Sequence, residues 1–205
     1  DGALRCSTET ADRLIASRIT VLISDDLNTP FCWQLQHPVI VFPEALSAFP
    51  DDELDAVLRH ELAHLEARHP LRLFLQRLVE VIFWFHPLVW ITSREASLQR
   101  ELASDRRANR SAAQASAFLR GMARLADYCV LRTSTLAAGL GFAGAGRSIL
   151  QQRIEHLLSL DWNNKIQPQP LHWKATLLVS IMLLTALIWI PINDSATGRT
   201  MVSPW

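Results

Sequence analysis

Apolar positions along the chain follow two different periods, and the change between them divides the sequence. Ile19, Val21 and Ile23 alternate with polar or smaller neighbours, the period-2 mark of a half-buried strand. A short helix over 9–18 precedes them, and Asp25 to Pro30 (DDLNTP) is turn chemistry. The stretch 31–42 reads as a second extended segment, interrupted by Pro38 and closed by Pro43. Proline cannot donate to a ladder, so this strand is expected to lie at a sheet edge or to bend there. The strand region as a whole spans about 19–42. From Pro50 onward the spacing becomes helical. Leu54, Val57, Leu58, Leu62 and Leu65 recur every three or four residues, predicting a helix over 51–69 capped by Asp51 or Asp52. It is expected to stop near His69-Pro70. A strongly apolar helix follows over 71–85. Its Arg72, Gln76, Arg77 and Glu80 argue against a clean membrane span but leave contact with a membrane surface open. After His86-Pro87 a third helix runs over about 88–108, then another over 112–129. Gly139, Gly141, Gly144 and Gly146 predict a loop, and 148–160 (SILQQRIEHLLSL) an amphipathic helix.

The C-terminal quarter differs in kind. After a polar linker at 163–172 come 18 uncharged residues, 175–192 (ATLLVSIMLLTALIWIPI). As a helix they would extend about 27 Å, close to the ~30 Å hydrocarbon core. Trp173, Lys174 and Trp189 look like interfacial anchors. The segment 173–192 is therefore read as one transmembrane helix and 193–205 as a tail. The expected fold class is α+β, a mainly helical domain over 1–162 with a small N-terminal β-sheet, followed by that span.

Composition trims the remaining options. The chain has 205 residues, 49% of them hydrophobic, with 20 Lys and Arg balancing 20 Asp and Glu. That balance disfavours direct nucleic-acid binding, and the apolar content excludes a disordered chain. Cys6, Cys32 and Cys129 lie too far apart for a CxxC metal site or a disulfide framework. The chain starts at Asp1 and is read as a piece of something longer.

His60-Glu61-Leu62-Ala63-His64 is an HExxH motif inside a predicted helix. Imidazoles at i and i+4 project from one face, where both reach a single zinc ion. Glu61, at the edge of that face, is placed to act as general base toward a water activated by the ion. A catalytic zinc takes three protein ligands and leaves one position open. Glu101, on the third helix, completes a His₂Glu set for one Zn²⁺ per chain. Asp105, one turn on, would accept a hydrogen bond from His60 or His64. The alternative pairs Glu101 and Asp105 with Arg100, Arg106 and Arg107 on a solvated helix surface. His86 is a candidate to line the site or stabilise an oxyanion, although an interior role competes, and Tyr128 is the sole tyrosine available for the same task. His69 is read as closing the zinc helix, off the ligand face, as a partner of its C-terminal dipole.

HELAH, then FWFHPLVW (83–90), then ELASD resembles the BlaR/MecR-type membrane zinc metallopeptidases, the family of the beta-lactam sensor-transducers, within the gluzincin class. The residues from Asn28 to Pro43 and the pair Arg153-Ile154 fit the same pattern, so the likeness covers about 20–160. The resemblance implies a zincin-like protease domain in a multi-span protein of the bacterial inner membrane. The domain would face the cytoplasm, with any sensor domain outside this fragment. It implies a signalling endopeptidase that cleaves itself or a cytosolic regulator such as a transcriptional repressor. The alternative function is a non-catalytic zinc-binding signalling module. Charge near the span, Lys165 and Lys174 before it and Arg199 after it, leans toward the same orientation. If the 31–40 stretch is an edge strand beside the zinc helix, Trp33, Gln34, Leu35 and Gln36 could pair with an extended peptide substrate.

Overall fold

The computed structural model describes residues 6–133 and 143–162, all within one compact unit spanning 1–165. Helix α1 (Thr8–Ala16) starts at Ser7, whose hydroxyl accepts the Thr10 amide at 3.3 Å. Strands β1 (Thr20–Ser24), β2 (Phe31–Trp33) and β3 (Val39–Pro43) form a sheet of order β1-β3-β2. β3 runs parallel to β1 and antiparallel to β2, with Ile40 opposite both Val21 and Cys32. Ile40 and Phe42 point from this central strand into the core, as the alternation requires. The expected single strand over 31–42 is therefore two strands. Residues 34–38 leave the ladder, and the Pro38 carbonyl turns to accept the Thr20 amide at 3.0 Å. The segment after the proline becomes the middle strand, with β1 and β2 at the two edges.

After a 3-10 helix (Glu44–Ala48), helix α2 (Asp51–Glu66) runs through the middle of the domain. Most of its residues are buried all round, the mark of a helix packed on several sides. Leu58, Leu62 and Leu65 meet the sheet and its neighbours, while Ala56 meets Ala115, Ala117 and Phe118 of α5 (Ala112–Thr133). Asp51 and Asp52 sit in the first turn, and it is Pro50 that holds the N-cap position. The helix stops at Glu66, three residues before the expected His69. Arg68 adopts a left-handed conformation (φ 55°) and turns the chain back, so His69 opens α3 (His69–Ile82) with Pro70 in its first turn.

Helix α4 (Pro87–Ala108) packs on α2 and α3, and α6 (Ala143–Ser159) packs on α4. α6 starts five residues before the expected helix, so Gly144 and Gly146 are helical and not part of a loop. Asp55 and Arg59 form a buried ion pair on α2; Arg59 Nε also donates to the Ala108 carbonyl at 3.1 Å, while the Ser7 amide and hydroxyl donate to Asp55 at 2.9 Å. One polar network thus ties α1 and the end of α4 to α2. Among the described residues no helix is long and apolar enough to cross a membrane. The span expected at 173–192 lies outside them.

Candidate metal centre

α2 and α4 cross so that His60, His64 and Glu101 face one another, with one donor atom from each inside a 4.8 Å cluster. The Nε2 atoms of His60 and His64 are 3.0 Å apart, and Glu101 carboxylate oxygens lie 3.6 Å from His60 Nε2 and 3.7 Å from His64 Nε2. Tetrahedral ligands about 2.0–2.1 Å from zinc stand about 3.3 Å from one another, so the three side chains fit that ion with little adjustment.

Each imidazole is fixed by its other nitrogen. His60 Nδ1 lies 2.9 Å from Asp105 Oδ1, an ion-pair distance reached off the ring N–H direction. Asp105 is fully buried at its place one turn beyond Glu101. Of the two histidines left open for Asp105, the fold selects His60. His64 Nδ1 lies 2.8 Å from His69 Nδ1, which is also 3.1 Å from Ser104 Oγ. With His69 Nδ1 as the acceptor of the His64 contact, His64 carries its proton on Nδ1 and presents a bare Nε2 to the cluster. The left-handed turn at Arg68 is what returns His69 to the ligand side, so this residue is not the dipole partner that spacing implied.

Arg153 of α6, marked in the sequence only as part of the family pattern, lies at the cluster itself. Its Nε and Nη2 donate to the two oxygens of Asp105 at 2.8 and 2.7 Å, and Nη1 lies 3.1 Å from Glu101 Oε2. Phe118 of α5 stacks on the His60 ring at 5.0 Å between centroids, and the Arg153 guanidinium lies over Phe118 at 5.7 Å. The surface pairing of Glu101 and Asp105 with neighbouring arginines does not form. Arg100 instead binds Gln76 and Ser97, and Arg107 lies 3.6 Å from Glu66.

These contacts shift the protonation of the clustered side chains. Burial presses the His60 pKa down, but Asp105 and Glu101 outweigh it and hold it at about 9. Burial and the charge on His60 lower His64 to about 3, and burial with Arg72 and Arg100 lowers His69 to about 4. Glu101 falls to about 2 against its burial, through His60 and Arg153, and Asp105 is lowered against its burial by Arg153 and His60. Two carboxylates are then balanced by one guanidinium and one imidazolium. Glu61 stands beside the cluster; burial and the nearby Glu101 push its carboxyl up, opposed by His60, Arg153 and a hydrogen bond with the Cys32 thiol of β2. Burial and the Glu61 charge raise that thiol in turn.

Residues 3–114, more than half of the chain, match the family described as BlaR1 peptidase M56. The chain belongs to the BlaR1 peptidase M56 family. A relative is the regulatory protein BlaR1 of Bacillus licheniformis, 34% identical over 79 residues. Those residues are 38% of this chain and 13% of that protein, so the likeness reaches only a small part of the relative. M56 membership implies a metallopeptidase, and the His60, His64 and Glu101 cluster provides a donor set for a metal.

The remaining candidates do not all converge. His86 is the N-cap of α4, so the 15 residues to Glu101 place it about 20 Å away along the helix. Tyr128 lies ten residues beyond Phe118 on α5, about 15 Å from the level of His60, where Cys129 bonds the Asn28 carbonyl. Neither is placed to stabilise an oxyanion at the cluster. Of the four residues expected in the substrate edge strand, Trp33 is in β2; Gln34, Leu35 and Gln36 belong to the β2–β3 connection.

Proposed function

We propose that this M56 chain is a zinc-dependent endopeptidase anchored to the bacterial inner membrane. Its protease domain would face the cytoplasm and cleave either its own chain or a regulator such as a transcriptional repressor. The observation that carries this reading is the convergence of His60, His64 and Glu101 with Glu61 alongside. His60, His64 and Glu101 would hold one zinc ion, which supplies Lewis acidity when bound. Glu61 takes the proton from the attacking water and passes it to the leaving amine, the work of a general base turned general acid. Asp105 and His69 lie against the far nitrogens of the two imidazoles and would orient them for ligation, and Arg153 would hold Asp105 and Glu101 ionised.

β2 supports a route for the substrate. β3 occupies one of its edges, while the thiol of Cys32 at its centre reaches Glu61. An extended peptide laid along the other edge would pass beside the base with little demand on its side chains. The residues for that pairing are Phe31–Trp33, in place of the longer stretch that spacing suggested.

The deciding experiment is Glu61→Gln. Zinc content should stay near one per chain, while turnover of a cleavable reporter peptide drops by about 10²–10⁴-fold. Turnover equal to that of the parent would remove Glu61 from the reaction. Equal metal content in His60→Ala and the parent would remove the cluster as the zinc site.

A further inference from the structure

The α3–α4 hairpin is built inside out. Between its two helices lies a polar network: Gln76 Nε2 donates to Glu80 Oε1 at 2.9 Å and to the Ser93 carbonyl at 3.1 Å, and Arg100 donates to Gln76 Oε1 at 2.7 Å. Glu80 is only 5% exposed. The outer surface is the reverse. Of 20 exposed large apolar side chains among the described residues, 12 lie between 71 and 91, so the exposure belongs to this hairpin and is not scattered. Val81 and Trp84 are 70% and 69% exposed. A contiguous patch of this kind on a folded domain marks an interaction surface.

We infer that the tip of this hairpin, from Leu78 to Ile91, is seated in the acyl region of a lipid bilayer. Three observations choose lipid over protein. From Leu78 to Ser93 the only ionisable residues are Glu80, which is buried, and His86, which is half-buried. The Trp90 indole donates to the Trp84 carbonyl at 2.9 Å and the Thr92 hydroxyl to the Leu88 carbonyl at 2.8 Å, so these polar groups near the tip find their partners within the hairpin. A bilayer demands that self-sufficiency, whereas a protein interface carries a polar rim and about one hydrogen bond per 100–200 Å². Third, the same chain carries the uncharged run 175–192, which suits a bilayer on its own account.

Geometry limits the depth. Gln76 bonds to Ser93, so Arg77 and Arg94 sit at about one level of the hairpin and bound its uncharged end. From there α3 has five residues left before its end at Ile82, about 8 Å, and the turn adds a few ångströms. The tip therefore dips about 10 Å, the depth of an interfacial helix, and does not cross. Arg94, and the exposed part of the Arg77 guanidinium whose Nη1 donates to Glu80 Oε2 at 2.6 Å, would meet lipid phosphates. The inference is independent of catalysis.

The test places an environment-sensitive fluorophore on Phe85→Cys, and separately on Val81→Cys, in the full chain with Cys6, Cys32 and Cys129 changed to Ala. The protein is reconstituted in phosphatidylcholine–phosphatidylglycerol vesicles whose acyl chains carry nitroxides. Gln99→Cys, exposed farther along α4, is the control and carries the same C-terminal run. Labels at 81 and 85 should be quenched several-fold by the nitroxide lipid and shielded from aqueous iodide, with the opposite result at 99. Iodide quenching at 81 and 85 equal to that at 99 would overturn the inference. So would shielding from both quenchers, which would mean that protein, either a second copy or another segment of this chain, covers the tip. The two sites are read separately, so one variant that misfolds leaves the other to decide.

Discussion

His69 and Arg153 act on the candidate zinc site through its ligands, and each role is separable by substitution. His69→Ala deletes the Nδ1 partner of His64 while leaving all three ligands in place. Loss of such a partner typically lowers metal affinity 10–100-fold. A competition titration against a chromophoric chelator should show that drop for zinc; unchanged affinity would reduce His69 to a packing residue. Arg153→Ala has a different cost. It leaves Asp105, fully buried, without the guanidinium that grips both of its oxygens. Stripping one partner from a buried ion pair destabilises by about 3–5 kcal/mol. Urea unfolding of the metal-free protein should register that loss. Arg153→Lys should recover only part of it, because an ammonium cannot make the two-pronged contact. Full recovery by lysine would show that charge alone matters there.

At the scale of elements, α2 organises the domain because it is buried on several faces at once. The sheet covers one side, α5 another and α4 the side that bears the histidines. The fit against α5 depends on Gly121. A Cβ there would stand 3.2 Å from Val57 Cγ2 and 3.3 Å from the Glu53 carbonyl oxygen. Glycine inside a helix ordinarily costs about 1 kcal/mol relative to alanine, so most substitutions at such a position would help. Here a branched side chain has backbone on one side and the core on the other. Gly121→Val should therefore destabilise by about 1–3 kcal/mol, read as a lowered Tm. A raised Tm would mean that α2 and α5 can part without loss. α3 shows the other kind of element, one whose polar stripe is satisfied inward while its apolar stripe faces out.

For the whole molecule, the cluster is a bridge between distant parts of the chain. His60 and His64 belong to α2, Glu101 to α4, and Arg153 reaches across from α6. An ion held there binds the folded chain and not the unfolded one, so it stabilises by mass action, about 2.7 kcal/mol at a hundredfold excess over Kd. Adding a chelator to the zinc-loaded protein should lower its Tm by several degrees. The His60→Ala, His64→Ala double variant should show no chelator-dependent shift. Equal shifts in both proteins would mean that the ion binds elsewhere.

The HExxH motif was legible in the sequence because its two histidines and Glu61 sit within about one helical turn, where local geometry alone sets their relation. The apolar period of α2 and the pairing of Glu101 with Asp105 four residues apart were legible for the same reason. What the sequence could not settle were relations across long chain separations. Nothing in local spacing says that α6 lays Arg153 on Asp105, or that Asp105 serves His60 and not His64. The left-handed Arg68 carries no glycine signal, so the return of His69 toward His64 was hidden. The 31–42 stretch reads as one extended segment interrupted by Pro38, since only pairing with β1 and β2 shows that Val39–Pro43 is the middle strand. Periodicity marks α3 as amphipathic but is blind to which stripe faces inward; that was decided by Gln76, Glu80 and Arg100 finding their partners on the inside.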